Sequence, residues 1–182
     1  MAVCLGIDPD SEYVALAAGS LRNILGIYSY KIPRPDKNNF NPFLQALRYH
    51  IPLFVKSLNL DPIWPVNIII EGQRIYQKQK VRPNDILHLG QIAGAVAMIC
   101  AELYPHQRII IPEPFDWKGN IDKATHQARL YNELGWGYKK IGKKYAYPLH
   151  PTIGQDLNKG EWKHVGDAIG LYRWGCTQLD LS

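Results

Sequence analysis

The chain has 182 residues, 46% of them hydrophobic and 20% charged, the make-up of an ordinary globular domain and not of a disordered or fibrous chain. No apolar run approaches the roughly 18 residues needed to span a bilayer, and Asp8 interrupts the first apolar stretch, so neither a membrane span nor a secretory leader is expected. The net charge of +5 suits a polyanionic partner without demanding one, and Cys4, Cys100 and Cys176, odd in number and without zinc spacing, read as reduced core residues.

Residues 2–7 form a short apolar run that stops at Asp8-Pro9, which reads as a buried strand ended by a turn. Tyr13 to Ala18 and Ile24 to Ile32 complete an expected three-stranded antiparallel meander. After a proline-containing loop, a helix is expected from Asn41 or Pro42. Phe43, Leu47, Ile51, Phe54 and Leu58 recur at helical spacing, with Pro52 expected to bend or break it. Val66 to Ile70 is β-branched and apolar, a strand buried on both faces that ends at Glu71. Pro83 opens a long helix to about Tyr104. Gly90, Gly94, Ala97 and Ala101 line one of its faces, fit either for the sheet or for a second chain. A strand over 108–111, a helix over 122–134 and a closing helix from His164 to Gln178 follow. Gly135 to Lys163 is expected to be a long loop with little regular structure. The order β-β-β-α-β-α-β-α-α suggests one α/β domain, a mixed five-stranded sheet covered by helices.

Two segments concentrate positive charge. Residues 72–82 hold Arg74, Lys78, Lys80 and Arg82 beside Tyr76, and residues 136–147 hold Lys139, Lys140, Lys143 and Lys144 among aromatic side chains, neither with an acid. Cations interleaved with aromatics suit phosphate contacts and base stacking, and equally suit a solvated surface loop.

The acids form a second pattern. Asp8 and Glu71 each end an apolar strand, and Asp167 follows His164 by three residues on one helix face, in what reads as the helix's first turn. If strands one and four are neighbours, the four side chains meet at one end of the sheet. Crowded carboxylates repel unless a cation neutralises them, and hard oxygen ligands suit Mg²⁺ or Mn²⁺. Two such ions can activate a water and stabilise the leaving oxygen of a phosphodiester. Each residue also has a plainer reading: Asp8 as a turn residue, Asp167 as a partner of the helix dipole, His164 as a helix-start residue. Glu71, behind Ile68, Ile69 and Ile70, has the least room for one.

Gly6-Ile7-Asp8-Pro9-Asp10-Ser11, Ile69-Ile70-Glu71-Gly72-Gln73, Leu89-Gly90-Gln91-Ile92-Ala93-Gly94 and His164-Val165-Gly166-Asp167-Ala168 together resemble, in order and spacing, the motifs of RuvC-like Holliday junction resolvases in the RNase H-like superfamily. The resemblance implies an RNase H-like fold, a homodimer, and two Mg²⁺ ions per active site, with Mn²⁺ able to substitute. It also implies paired nicking of four-way DNA junctions in the cytoplasm of a prokaryotic cell or phage-infected host. It assigns Asp8, Glu71, His164 and Asp167 to the metal site and places Lys118 and Lys123 near the scissile phosphate. Asp10 stands where the family has glycine and Gly72 separates Glu71 from Gln73, while the length of Gly135–Lys163 points to a phage-type or divergent member. Other RNase H-like nucleases (terminase-type, repair or RNA-directed) and a non-catalytic branched-DNA binding module are the alternatives. An actin-like kinase would need a second lobe and a Gly-rich phosphate loop that this chain lacks.

Overall fold

The computed structural model describes residues 3–10, 12–33, 39–59, 66–72 and 83–180, the side chains of 83–86 and 180 excepted. The elements are β1 (Val3–Pro9), β2 (Tyr13–Gly19), β3 (Ile24–Lys31), α1 (Asn41–Ser57), β4 (Val66–Ile70), α2 (Pro83–Leu103), β5 (Ile109–Ile110), α3 (Pro114–Lys118), α4 (Lys123–Glu133), β6 (Tyr138–Ile141), β7 (Tyr145–Pro148) and α5 (Lys159–Asp180). Five strands form one sheet in the order β3-β2-β1-β4-β5. The β1–β2 and β2–β3 pairs are antiparallel, and the β1–β4 and β4–β5 pairs are parallel. This is the mixed α/β architecture expected from the sequence.

Alternation along the strands divides the core into two layers. Leu5, Ile7, Leu16, Ile68 and Ile70 face α1 and α2, meeting Phe43, Leu47, Ile51, Ile92, Val96 and Ile99. Cys4, Ala15, Ala17 and Ile69 face the other way, against α5 and the aromatic residues Tyr131, Trp136 and Trp162. On this second face the helix sits directly on the backbone. A Cβ on Gly6 would lie 2.1 Å from the Ala168 carbonyl oxygen, and one on Gly175 would lie 2.5 Å from Ile69 Cγ1. Glycine at these points lets α5 approach the central strands, which fixes where its acids arrive.

Three expectations are corrected, and one alternative left open by the sequence is narrowed. Pro52 does not break α1, which runs unbroken from Asn41 to Ser57. The missing hydrogen bond and ring clash cost about 3 kcal/mol, less than the sum of the roughly 2 kcal/mol that each of the buried Phe43, Leu47, Ile51 and Phe54 contributes. The segment Gly135–Lys163 is not a featureless loop: it contains the antiparallel hairpin β6–β7 and buries Trp136, Tyr147 and Trp162. The closing helix starts at Lys159, before His164, so Asp167 lies in its interior and not in its first turn. Finally, of the small-residue face of α2, Ala97 packs partly against the core while the other three residues point away from the sheet. Gly90, Gly94 and Ala101 are exposed beside Leu87 and Met98, and a Cβ on either glycine would meet nothing within 4 Å. All three cysteines are buried and outside any disulfide, as expected. Among the described residues no helix is long and apolar enough to cross a membrane.

Candidate metal centre

Parallel pairing of β1 with β4 sets Ile7 opposite Ile70, and the next backbone N–H, that of Glu71, donates to the Ile7 carbonyl at 3.0 Å. Asp8 and Glu71 therefore leave adjacent strands at the same level. The close seat of α5 on Gly6 brings in Asp167 from the third side. One carboxylate oxygen from each of Asp8, Glu71 and Asp167 lies within 4.8 Å of the others, and all three residues are buried. Sequence reasoning placed these residues together, and the structure brings them together.

Two lysines from the chain face the cluster. Lys123, at the start of α4, pairs with Asp167, and Lys118, at the end of α3, lies 3.5 Å from Glu71 Oε1. Lys118 is also held over the Trp117 ring, 4.8 Å from its centroid. Burial would raise the carboxyl of Asp8, but hydrogen bonding to His164 and the charge of Lys123 outweigh it and hold Asp8 well below the usual carboxylate range. Burial, then the charges of Asp8 and Asp167, push Glu71 well above its ordinary value, with Lys118 only partly offsetting them. Burial disfavours the charge on Lys123, yet Asp167 and Asp8 hold its ammonium above the ordinary lysine value. Among the described residues, three buried carboxyl groups face two lysines, a crowding that resists full ionisation until a further cation is present. The donors are hard oxygens, so the residues present fit a hard divalent cation.

His164, expected at the metal site, touches Asp8 and Asp10 but is not among the three residues whose ligand atoms converge. Its Nδ1 lies 3.1 Å from Asp8 Oδ2 and its Nε2 3.6 Å from Asp10 Oδ2, and its ring stacks on Tyr13 at 5.9 Å between centroids. An ionised Asp8 can only accept, so Nδ1 carries the hydrogen, and in a neutral ring Nε2 keeps the lone pair.

Sequence reasoning missed Gln127. It is fully buried, and its Nε2 donates to Asp167 Oδ1 and to the Lys163 carbonyl, both at 2.9 Å. The available signal was spacing: Lys123, Gln127 and Tyr131 recur every four residues on one face of α4. Lys139, Lys140, Lys143 and Lys144 are exposed on the β6–β7 hairpin. Lys140 Nζ reaches Thr125 Oγ1 at 3.1 Å, and the Ala146 N–H of the same hairpin donates to Gln127 Oε1, so the hairpin is tied to the side chain that holds Asp167. Arg74, Tyr76, Lys78, Lys80 and Arg82 lie outside the described residues.

No protein-family model matches the chain, and no curated protein matches it in sequence. Solved structures do match. RuvC of Thermus thermophilus in complex with a Holliday junction substrate superposes with a TM-score of 0.65 at 12% identity, over 100% of this chain and 97% of that one. A second structure of Thermus thermophilus RuvC gives a TM-score of 0.62 at 12% identity, over 98% and 96% of the two chains. At that identity the likeness speaks for the fold: this chain has the RuvC-like, RNase H-like α/β fold along its whole length.

Proposed function

We propose that this protein is a Mg²⁺-dependent, structure-selective endodeoxyribonuclease that resolves four-way or other branched DNA junctions by paired nicking. The observation that carries the reading is the meeting of Asp8, Glu71 and Asp167 within 4.8 Å at one end of the sheet. The fold in which they meet is shared end to end with a protein solved on a Holliday junction. Asp8, Glu71 and Asp167 would hold two divalent ions, Mg²⁺ or Mn²⁺ in its place. His164 offers Nε2 either as a further ligand or as acceptor of the attacking water's proton. When bound, such ions supply Lewis-acid activation of a water and charge stabilisation at the scissile phosphate, which yields 5′-phosphate and 3′-hydroxyl ends.

The lysines have a defined part in this reading. Lys118 and Lys123 pair with Glu71 and Asp167 in the metal-free protein. With the carboxylates satisfied by metal, the same two ammonium groups are placed to meet a phosphate. Lys139, Lys140, Lys143 and Lys144 extend that positive surface along the hairpin for the DNA backbone. Arg74, Lys78, Lys80, Arg82 and Tyr76, which follow Glu71 in sequence, are assigned to the same duty. Two active sites cutting two strands imply a homodimer, for which the exposed α2 face with Leu87, Gly90, Gly94 and Met98 is the candidate contact. The proposed place of action is the cytoplasm.

The test is a nuclease assay on a synthetic mobile four-way junction with and without Mg²⁺ or Mn²⁺, run beside linear duplex, flap and RNA–DNA hybrid. Symmetric nicks on opposing junction strands are expected, and Asp8→Asn is expected to abolish them while junction binding survives. Preferred cleavage of the duplex or the hybrid would reassign the substrate. Full activity of Asp8→Asn would remove Asp8 from the centre.

A further inference from the structure

Gln127 makes three hydrogen bonds that join its own helix α4 to α5 and to strand β7. Its Nε2 carries two hydrogens, one donated to Asp167 Oδ1 and one to the Lys163 carbonyl on α5. Its Oε1 accepts the backbone N–H of Ala146, at 2.9 Å, in strand β7. Ala146 is itself paired with Lys140 across the hairpin. A single buried amide thus runs from a carboxylate of the acidic cluster to the backbone of the strand that carries the basic surface. The space for it is reserved in the sequence. A Cβ on Gly166, the residue before Asp167, would stand 2.9 Å from Gln127 Cδ and 2.4 Å from the Tyr131 hydroxyl. A second, outer tie runs parallel to it. Asp122 caps α4 through Thr125, and the Thr125 hydroxyl in turn meets Lys140 Nζ.

We propose that Gln127 is a positioning residue that locks Asp167 to the β6–β7 hairpin, so that the candidate metal centre and the lysine-bearing hairpin behave as one unit. This rests on the metal reading above. An amide oriented at Nε2 by Asp167 is also oriented at Oε1, where the hairpin hangs. A cation that fixes Asp167 therefore steadies Ala146 about two side chains away. In the other direction, phosphates bound by the hairpin lysines hold Asp167 in ligating orientation. Partners one layer outside metal ligands typically change metal affinity about 10–100-fold when removed.

The experiment measures Mn²⁺ binding by electron paramagnetic resonance, and amide hydrogen exchange over residues 138–148 with and without Mn²⁺. Both use the full chain as wild type, Gln127→Met and Asp167→Asn. Met keeps length and volume but has no amide, and circular dichroism checks that the variant is folded. Wild type is expected to bind Mn²⁺ and to slow exchange of the Ala146 amide about fivefold on doing so, the low end of ordinary coupling between sites. Gln127→Met is expected to bind Mn²⁺ about 10–100-fold more weakly and to lose the Mn²⁺ effect on hairpin exchange. Mn²⁺ affinity of Gln127→Met within twofold of wild type, or wild-type hairpin exchange indifferent to Mn²⁺, overturns the proposal. Where Gln127→Met fails to fold, the wild-type exchange measurement decides alone. If wild type binds no Mn²⁺, or Asp167→Asn binds it as well as wild type, the metal reading itself fails and the proposal falls with it. A wild type that binds Mn²⁺ beside an unaffected Gln127→Met sinks the coupling alone.

Discussion

Replacing Glu71 with glutamine separates the burden of the acidic cluster from its use. Glu71 faces Asp8 and Asp167 with oxygens up to 4.8 Å apart. At that separation and an effective dielectric of about 20, each neighbouring carboxylate costs about 3 kcal/mol. Lys118 at 3.5 Å returns about 5 kcal/mol by the same measure. A net repulsion of about 1–2 kcal/mol remains before desolvation is added. A glutamine of the same shape removes it and can donate its amide hydrogens to the two remaining carboxylates. Metal-free Glu71→Gln should therefore be more stable than wild type by about 1–3 kcal/mol, a rise in Tm of roughly 2–12 °C for a chain of this size. The sign with pH follows from linkage. The folded-state value of Glu71 lies above the ordinary 4.5. The wild-type penalty is thus absent below about 4.5 and grows as pH rises through and beyond it, and the advantage of glutamine shrinks in acid. Saturating Mg²⁺ should reverse the order, because a ligand at about 100 times its Kd stabilises its binder by about 2.7 kcal/mol and the variant loses a ligand. The assay is thermal unfolding of both proteins at pH 5 and 7.5, in chelator and in Mg²⁺. A metal-free variant less stable than wild type at pH 7.5, or an equal gain from Mg²⁺ in both, would refute the reasoning.

Other outcomes are expected from the same geometry. Gly6→Ala should lower stability by about 3 kcal/mol, the upper end for over-packing, because the atoms facing its Cβ are the Ala168 carbonyl oxygen and the Tyr172 amide nitrogen, which cannot rotate away; calorimetry reads the loss directly. Lys140→Ala with Lys143→Ala should weaken junction binding and flatten the log–log salt dependence by about 2 units; an unchanged slope in a binding titration would take the hairpin off the DNA. Burial holds His126 down at about 4 from an ordinary 6.5. Its neutral form therefore supports the fold above about 6.5, and that support is lost as pH falls toward 4, amounting to about 3 kcal/mol. His126→Leu should flatten the stability profile across that window in denaturant titrations at stepped pH.

The sheet and its site were legible because period-two and period-3.6 patterns are strong where an element is buried on one or both faces. Val66 to Ile70 could only be a central strand, and a carboxylate at its end had to find company. The hairpin was not legible for the opposite reason. Tyr138, Lys139, Lys140 and Ile141 are all exposed, so β6 shows no alternation. Its turn was marked only by Gly142, held at a φ of 55°. Gln127 was hidden in the same way, since a glutamine on an amphipathic helix reads as solvent-facing until its partners are known.

The misplaced start of α5 bears on the chemistry. Asn158-Lys159-Gly160-Glu161 is a capping sequence. The Asn158 Oδ1 accepts from the Gly160 and Glu161 amides, and Glu161 returns a carboxylate to the Asn158 N–H. With the cap at Asn158, the helix N-terminus has its own acid in Glu161 and makes no demand on Asp167, which lies more than a full turn deeper. The effect of the macrodipole fades within the first turn, so the plain account of Asp167 as a dipole partner is gone. What remains is a carboxylate 2% exposed on the buried face of a helix, held by Gln127 and Lys123 and aimed at two more carboxylates. A fold that needed only a filled core would place an apolar side chain there. Lys123 and Lys118 offset part of the cost of burying three carboxylates and a bound cation would offset the rest, which makes the paired change Asp167→Leu with Lys123→Met informative. The double variant should match or exceed wild-type stability in chelator, as apolar replacement of a whole buried ion pair often does. It should also have no response to Mn²⁺ in the same unfolding assay. Loss of stability in chelator comparable to a core deletion would mean that the pair serves the fold and not a cation.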